Sequence, residues 1–434
     1  MILIYTHKTN NRIKYVFNLI FRDLLQVSFS ITNNTEDFLA YEGPKLNYSF
    51  QPISNELFFL SCNLLFETGI KQQKIDHVLF EQIKCPFPLY KQSQFPFDPF
   101  AAIFYLTTRY EEYLPYKKDA FDRFDASESI TTQLDFLKKP VVDIWTQKIA
   151  IAISEKYPSF IFPKKNYKFI PTIDIDSAWA YKEKGIIRSL LGYIKSLTKF
   201  NFPDILERSK VLSRLLKDPF DTFDLQFYLQ KKYNLSPLYF ILFAEYAQYD
   251  KNISIYNRKF QSLIKSIDDY AVVGIHPSFK SNSNLKKLNT EITQLSNVLK
   301  REVTKSRQHF LKLSFPSTYR TLIEADILED YSLGFASATG FRAGICNPFH
   351  FYDIDLEKET NLKLYPFAVM DGTLRDYNHI EAKDALSHIK PLIDEVKAVN
   401  GTFISLWHNE SLSNQKRWVG WDVVYEEMIK LALP

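Results

Sequence analysis

The chain is poor in cysteine. Cys62, Cys85 and Cys346 are its only three in 434 residues, too few and too far apart for a disulfide framework or a cysteine zinc cluster. That fits a reducing compartment. Glycine is also scarce, at 11 residues, and no glycine-rich loop of the phosphate-cradling kind occurs. A Gly-x-Ser-x-Gly elbow is missing, so nothing in the sequence calls for a serine acyl-enzyme. No stretch reaches about 18 uninterrupted apolar residues, and no membrane span is expected. The first residues, MILIYTHKTNNRIKYVFNLIF, lack a basic region followed by an apolar core and a small-residue cleavage site. They read as a strand over Ile2–Tyr5 and then a helix. A cytoplasmic location is the expectation. Charge of one sign is lacking as well: 54 Lys and Arg stand against 50 Asp and Glu, a formal net charge of +4. The basic residues are scattered and form no stripe, so nucleic-acid binding is not expected.

Hydrophobic residues make up 46% and charged residues 24%, the balance of a globular chain. The length predicts two domains. Aromatics reach 16%, for which compositional drift and carbohydrate stacking are both explanations. Residues 1 to 165 alternate short apolar runs with amphipathic segments and read as a smaller α/β domain. Its clearest helix is DPFAAIFYLTTRYEEYL, with Asp98 as N-cap, Pro99 in the first turn, and Phe100, Ile103, Phe104 and Leu106 on an apolar face. The polar segment FPKKNYKF places the boundary near residue 165.

Strand and helix signals alternate beyond it. The strand-like runs are SPLYFILFA (236–244), AVVGIH (271–276), LYPFAVMDG (364–372) and GTFISLWH (401–408). Helical stretches such as NLKKLNTEITQLSNVLKREV and EAKDALSHIKPLIDEVKAV separate them. Repeated βα units over residues 166–434 predict a barrel of parallel strands, complete or incomplete, with its chemistry at the C-terminal strand ends. FIPTIDIDSAW (169–179) ends one such strand with Asp174 and Asp176. Residues i and i+2 of a strand share a side, so the two carboxylates lie side by side. They need a cation between them or a shared proton. His276, Asp371 and His408 end three further strand signals. Polar residues from four strands at one rim suit metal-assisted hydrolysis.

These residues carry a family resemblance. The C-terminal part resembles the polysaccharide deacetylase (NodB-homology) superfamily, whose members are distorted (β/α) barrels that remove acetyl groups from glycans with a divalent metal. More closely, the chain resembles a divergent bacterial branch of surface-polysaccharide type, in which an α/β domain precedes the barrel. RYEEYLPYKKDAFDRFDASES (109–129) and LEDYSLGFASATGFRAGICNPFHFYD (328–353) carry that closer likeness. In the first family motif a base precedes a metal ligand, which implies Asp174 as general base and Asp176 as ligand. The second motif has two histidines. Here GIHPSFKSN supplies His276, but Lys280 stands in the second place, and an ammonium has no lone pair to offer. Either another residue completes the triad or the site is altered. The third motif is matched by SRQHF, with Arg307 to hold the base and His309 where proline is usual. His309 is the candidate third ligand. SLWHNES implies His408 as general acid, oriented by Asp371. Arg342, in GFRAG, is a candidate for substrate contact or for a structural ion pair.

The resemblance thus implies a divalent-metal hydrolase, zinc being the first choice of metal, that acts on an acetylated sugar or polysaccharide. It also implies partners in polysaccharide assembly. A catalytically silent carbohydrate-binding protein and a scaffold are the alternatives.

Overall fold

The computed structural model describes residues 1–434. Four strands open the chain: β1 (Ile2–Tyr5), β2 (Phe29–Thr32), β3 (Lys45–Ser49) and β4 (Leu57–Leu60) form a parallel sheet in the order β2-β1-β3-β4. A hairpin follows, β5 (His77–Phe80) and β6 (Ile83–Pro86). Its two-residue turn, Glu81 and Gln82, has positive φ at both positions, the geometry that matches strand twist. The expected helix begins where the sequence predicts. Asp98 accepts hydrogen bonds from the N–H groups of Phe100 and Ala101 at 3.0 Å each. It ends at Thr107, earlier than its apolar pattern suggests, because Arg109 takes a left-handed backbone conformation.

The second sheet has nine strands: β7 (Lys168–Ile175), β8 (Leu238–Leu242), β9 (Val272–His276), β10 (Lys305–Ser306), β11 (Glu329–Asp330), β12 (Phe349–Asp353), β13 (Lys358–Leu364), β14 (Val369–Met370) and β15 (Thr402–His408). Their order is β12-β13-β11-β10-β9-β8-β7-β15-β14. Every pairing is parallel except β12 with β13. Parallel strands covered on both faces read as unbroken apolar runs, and all five residues of β8, Leu-Tyr-Phe-Ile-Leu, are buried.

Of the complete and incomplete barrels expected, the complete one is corrected here, since the sheet is open with β12 and β14 as its edges. Only Tyr365–Ala368 separate β13, near one edge, from β14, at the other. Four residues therefore carry the chain from β13 to β14, and no ladder joins those two strands. Pro366 among them has no N–H to give such a ladder.

One buried apolar cluster includes residues from Ile2 to Ala432 and spans both sheets. Residue 165 thus lies between two sheets that share a core. Polar contacts cross the same junction. Arg12 Nε donates to Glu357 Oε2 at 2.9 Å, and Asp143 accepts from the Cys346 N–H at 2.8 Å and from Asn347 Nδ2 at 2.6 Å.

Candidate metal centre

Strand register sets the floor of the site. Asp174 pairs with His408 on β15, and Leu242 pairs with His276 on β9. Since Ile175 pairs with Ile241, Asp176 follows at the level of Leu242 and His276. Arg307 comes one residue after β10, and its N–H donates to the Ile275 carbonyl at 3.1 Å. Asp371 follows β14, whose Met370 pairs with Leu406. The C-terminal ends of β7, β9, β10, β14 and β15 thus deliver all seven expected catalytic and metal-binding residues to one rim.

They line or adjoin a cavity of about 300 Å³ bordered by Asp174, Asp176, His276, His309 and His408. One ligand atom from each of Asp176, His276 and His309 lies within 4.8 Å of the others. His276 Nε2 is 3.3 Å from Asp176 Oδ1, and His309 Nε2 is 3.7 Å from Asp176 Oδ2. The opposite ring nitrogens are already engaged. His276 Nδ1 donates to the Arg307 carbonyl at 2.5 Å, and His309 Nδ1 donates to Asp250 Oδ1 at 2.9 Å. Neither acceptor can give a proton back, so in each ring it is Nε2 that faces Asp176 and that offers a lone pair there once its proton is displaced.

Asp176 Oδ1 is a buried oxygen with no hydrogen-bond partner, although the side chain as a whole is 44% exposed to the cavity. A carboxylate and two imidazoles converging around such an oxygen fit a divalent cation. The electrostatics run the same way. Burial works against a charged His309, but Asp176 and Asp250 outweigh it and push its pKa up to about 9. Burial also works against a charged Asp176, and the two histidines together hold it well below the usual carboxylate range. The site attracts positive charge.

Asp174 is held separately. Arg307 Nη1 donates to Asp174 Oδ1 at 2.8 Å and to Thr172 Oγ1 at 2.6 Å, while Arg307 Nε donates to the Tyr331 carbonyl at 2.9 Å. On the other side, His408 Nδ1 donates to Asp371 Oδ1 at 2.8 Å, and the His408 N–H donates to Oδ2 at 2.8 Å. Burial disfavours the imidazolium, but Asp371, with Asp176 and Asp174 further off, raises the His408 pKa well above its ordinary value.

Two expectations change. Arg342 is away from the cavity, buried, with Nε donating to Glu112 Oε1 at 2.9 Å, Nη2 to Glu112 Oε2 at 2.5 Å and Nη1 to the Gly334 carbonyl at 3.0 Å. Of its two readings, the structural ion pair is the one formed, and substrate contact is corrected. Lys280 is exposed and outside the ligand cluster.

Several contributors have no role that the sequence motifs imply. Asp250, in the loop after β8, positions His309. Arg123 comes from the first 165 residues, lines the cavity and donates from Nη1 to the Phe310 carbonyl at 2.7 Å. Glu410, Arg417 and Trp418 also form part of the wall.

A family of unknown function (DUF7033) matches residues 2–158. No curated protein matches the chain. Among solved structures, a Mycobacterium smegmatis protein described as a polysaccharide deacetylase is similar at 12% identity and a TM-score of 0.40, covering 62% of this chain and 85% of its own. The polysaccharide deacetylase Bc1974 from Bacillus cereus is similar at 10% identity and a TM-score of 0.30, covering 62% of this chain and 88% of its own.

Proposed function

We propose that the protein is a divalent-metal-dependent hydrolase that removes acetyl groups from a carbohydrate. One observation carries the reading: the Asp176, His276 and His309 cluster, with both Nε2 atoms aimed inward, lies beside an arginine-held carboxylate and a carboxylate-held imidazole on neighbouring strands. Asp176, His276 and His309 would hold the cation. When bound, it supplies a Lewis acid for the acyl oxygen and lowers the pKa of water at the site. Zinc, cobalt, nickel and iron all accept this donor set.

The remaining residues divide the proton work. Asp174, fixed by Arg307, takes a proton from the attacking water. His408, kept cationic by Asp371, gives one from Nε2 to the departing sugar nitrogen or oxygen. A base and an acid on neighbouring strands suit hydrolysis of an acetamide or acetyl ester in which proton removal and proton delivery use different groups. Binding alone would not call for two such separately oriented groups, which favours catalysis over the silent sugar-binding alternative.

The test is acetate release from a panel of N- and O-acetylated sugars. Activity on at least one member, lost in Asp174→Asn and on chelation, is the expected result. No acetate release from any member by protein loaded with zinc, cobalt, nickel or iron would contradict the reading.

A further inference from the structure

The 41 residues between Asp176 and Asp218 leave the catalytic rim and return to it, and they form a helical hairpin that is polar inside and apolar outside. Its first helix, Ile186–Thr198, and its second, Phe202–Leu212, meet along a polar seam. Ser196 Oγ donates to Asp204 Oδ2 at 2.5 Å, and Tyr193 Oη and Ser209 Oγ share a hydrogen bond of 2.9 Å. Ile186, Ile187, Leu190, Leu191, Ile194 and Leu197 are all exposed, Ile186 by 87%. At 3.6 residues per turn they form one stripe roughly 140° wide. Phe200, 79% exposed, and Phe202 extend it around the tip. A helix that packs in a globular core turns such a stripe inward; this one turns it to solvent.

The charges beside the stripe select what covers it. Lys195, Lys199, Lys210 and Arg214 are exposed, and the hairpin's own carboxylates are taken by others, Asp204 by Arg208 and Glu207 by Lys416. A protein-binding face is depleted in lysine. An apolar helix face bordered by free cations instead matches the interface of an anionic bilayer, with the aliphatic side chains below the headgroups and the cations among them. No helix is long and apolar enough to cross a membrane, so the contact is with the surface.

The hairpin is also tied to the catalytic cavity. Lys416 reaches Glu207 at 2.7 Å and Tyr181 Oη at 3.1 Å, and the next two residues, Arg417 and Trp418, line the cavity. The geometry points to a docking element: residues 186–214 seat the protein on an anionic membrane surface, with the catalytic rim close to the bilayer. Resting on the deacetylase reading, the substrate class becomes a glycan presented at the membrane, as on a lipid carrier.

Vesicle co-sedimentation of the full chain tests this, with phosphatidylcholine vesicles compared with vesicles of phosphatidylcholine and phosphatidylglycerol. The expected result is binding to the mixed vesicles that weakens with salt. It is lost in Leu190→Ser/Leu191→Ser/Ile194→Ser and falls by at least roughly thirtyfold in Lys195→Glu/Lys199→Glu. Circular dichroism melting checks that both variants fold, and the charge variant alone decides if the triple variant does not. Absence of binding, equal binding to both vesicle types, or self-association in light scattering that the triple variant abolishes would each overturn the proposal. None of these readouts depends on metal or acetate release, so a failed docking element and a failed deacetylase reading are distinguishable.

Discussion

His309 donates from Nδ1 to Asp250 at 2.9 Å, and through that bond its Nε2 is directed at Asp176. Asp250 is fully buried and also accepts the Phe279 N–H at 2.9 Å, so the carboxylate is fixed before any cation arrives. Asp250→Asn is expected to weaken metal affinity about 10–100-fold while the chain stays folded. Competition against a chromogenic chelator measures it. Unchanged affinity would remove Asp250 from the account.

Lys280 and His309 give opposite expectations. Lys280→Ala leaves metal content and acetate release at the wild-type level, because the side chain is exposed and outside the cluster. His309→Ala loses both. A metal site that survived His309→Ala would mean that the third donor comes from elsewhere.

Asp371 sets the pH behaviour of His408. Because the folded-state pKa of His408 is raised, the interaction stabilises the protein fully below the ordinary histidine value of about 6.5. That contribution fades as pH rises through the raised folded value. In Asp371→Asn the basic limb of the rate profile should therefore move to lower pH, and the stability gap from wild type should be largest in acid and shrink toward base. A basic limb that does not move would show that His408 is not the proton donor.

Arg342 holds the chain together at a distance from the chemistry. Glu112 accepts from both Arg342 and Arg109, all three side chains being buried. Removing one partner of a buried pair costs about 3–5 kcal/mol. Arg342→Met should lower the denaturation midpoint accordingly, with kcat/KM of the folded fraction unchanged. A selective rise in KM would instead return Arg342 to substrate contact.

The sequence exposed the rim better than the sheet that carries it. Asp174, Asp176, His276, Asp371 and His408 were visible because parallel strands are apolar runs, and a polar residue at the end of each stands out. His309 was visible only as a histidine in an unusual motif position. Asp250 was not, since its partner is 59 residues away and no local pattern records that contact. The open seam was equally hidden: β10, β11 and β14 are two residues long, too short for any periodicity. Arg342 was ambiguous because its partner Glu112 lies 230 residues earlier, and a turn sequence does not tell which way its charge faces. The stripe of Ile186–Thr198 has the spacing of a core helix, and only the polar seam reveals that it points outward.

The most direct test of the metal centre is the metal content of the purified protein by elemental mass spectrometry, beside His276→Ala and His309→Ala. Near-stoichiometric divalent metal in the wild type and its loss in both variants are the expected results. No metal retained by the wild type, even after addition of zinc or cobalt, would contradict the metal centre.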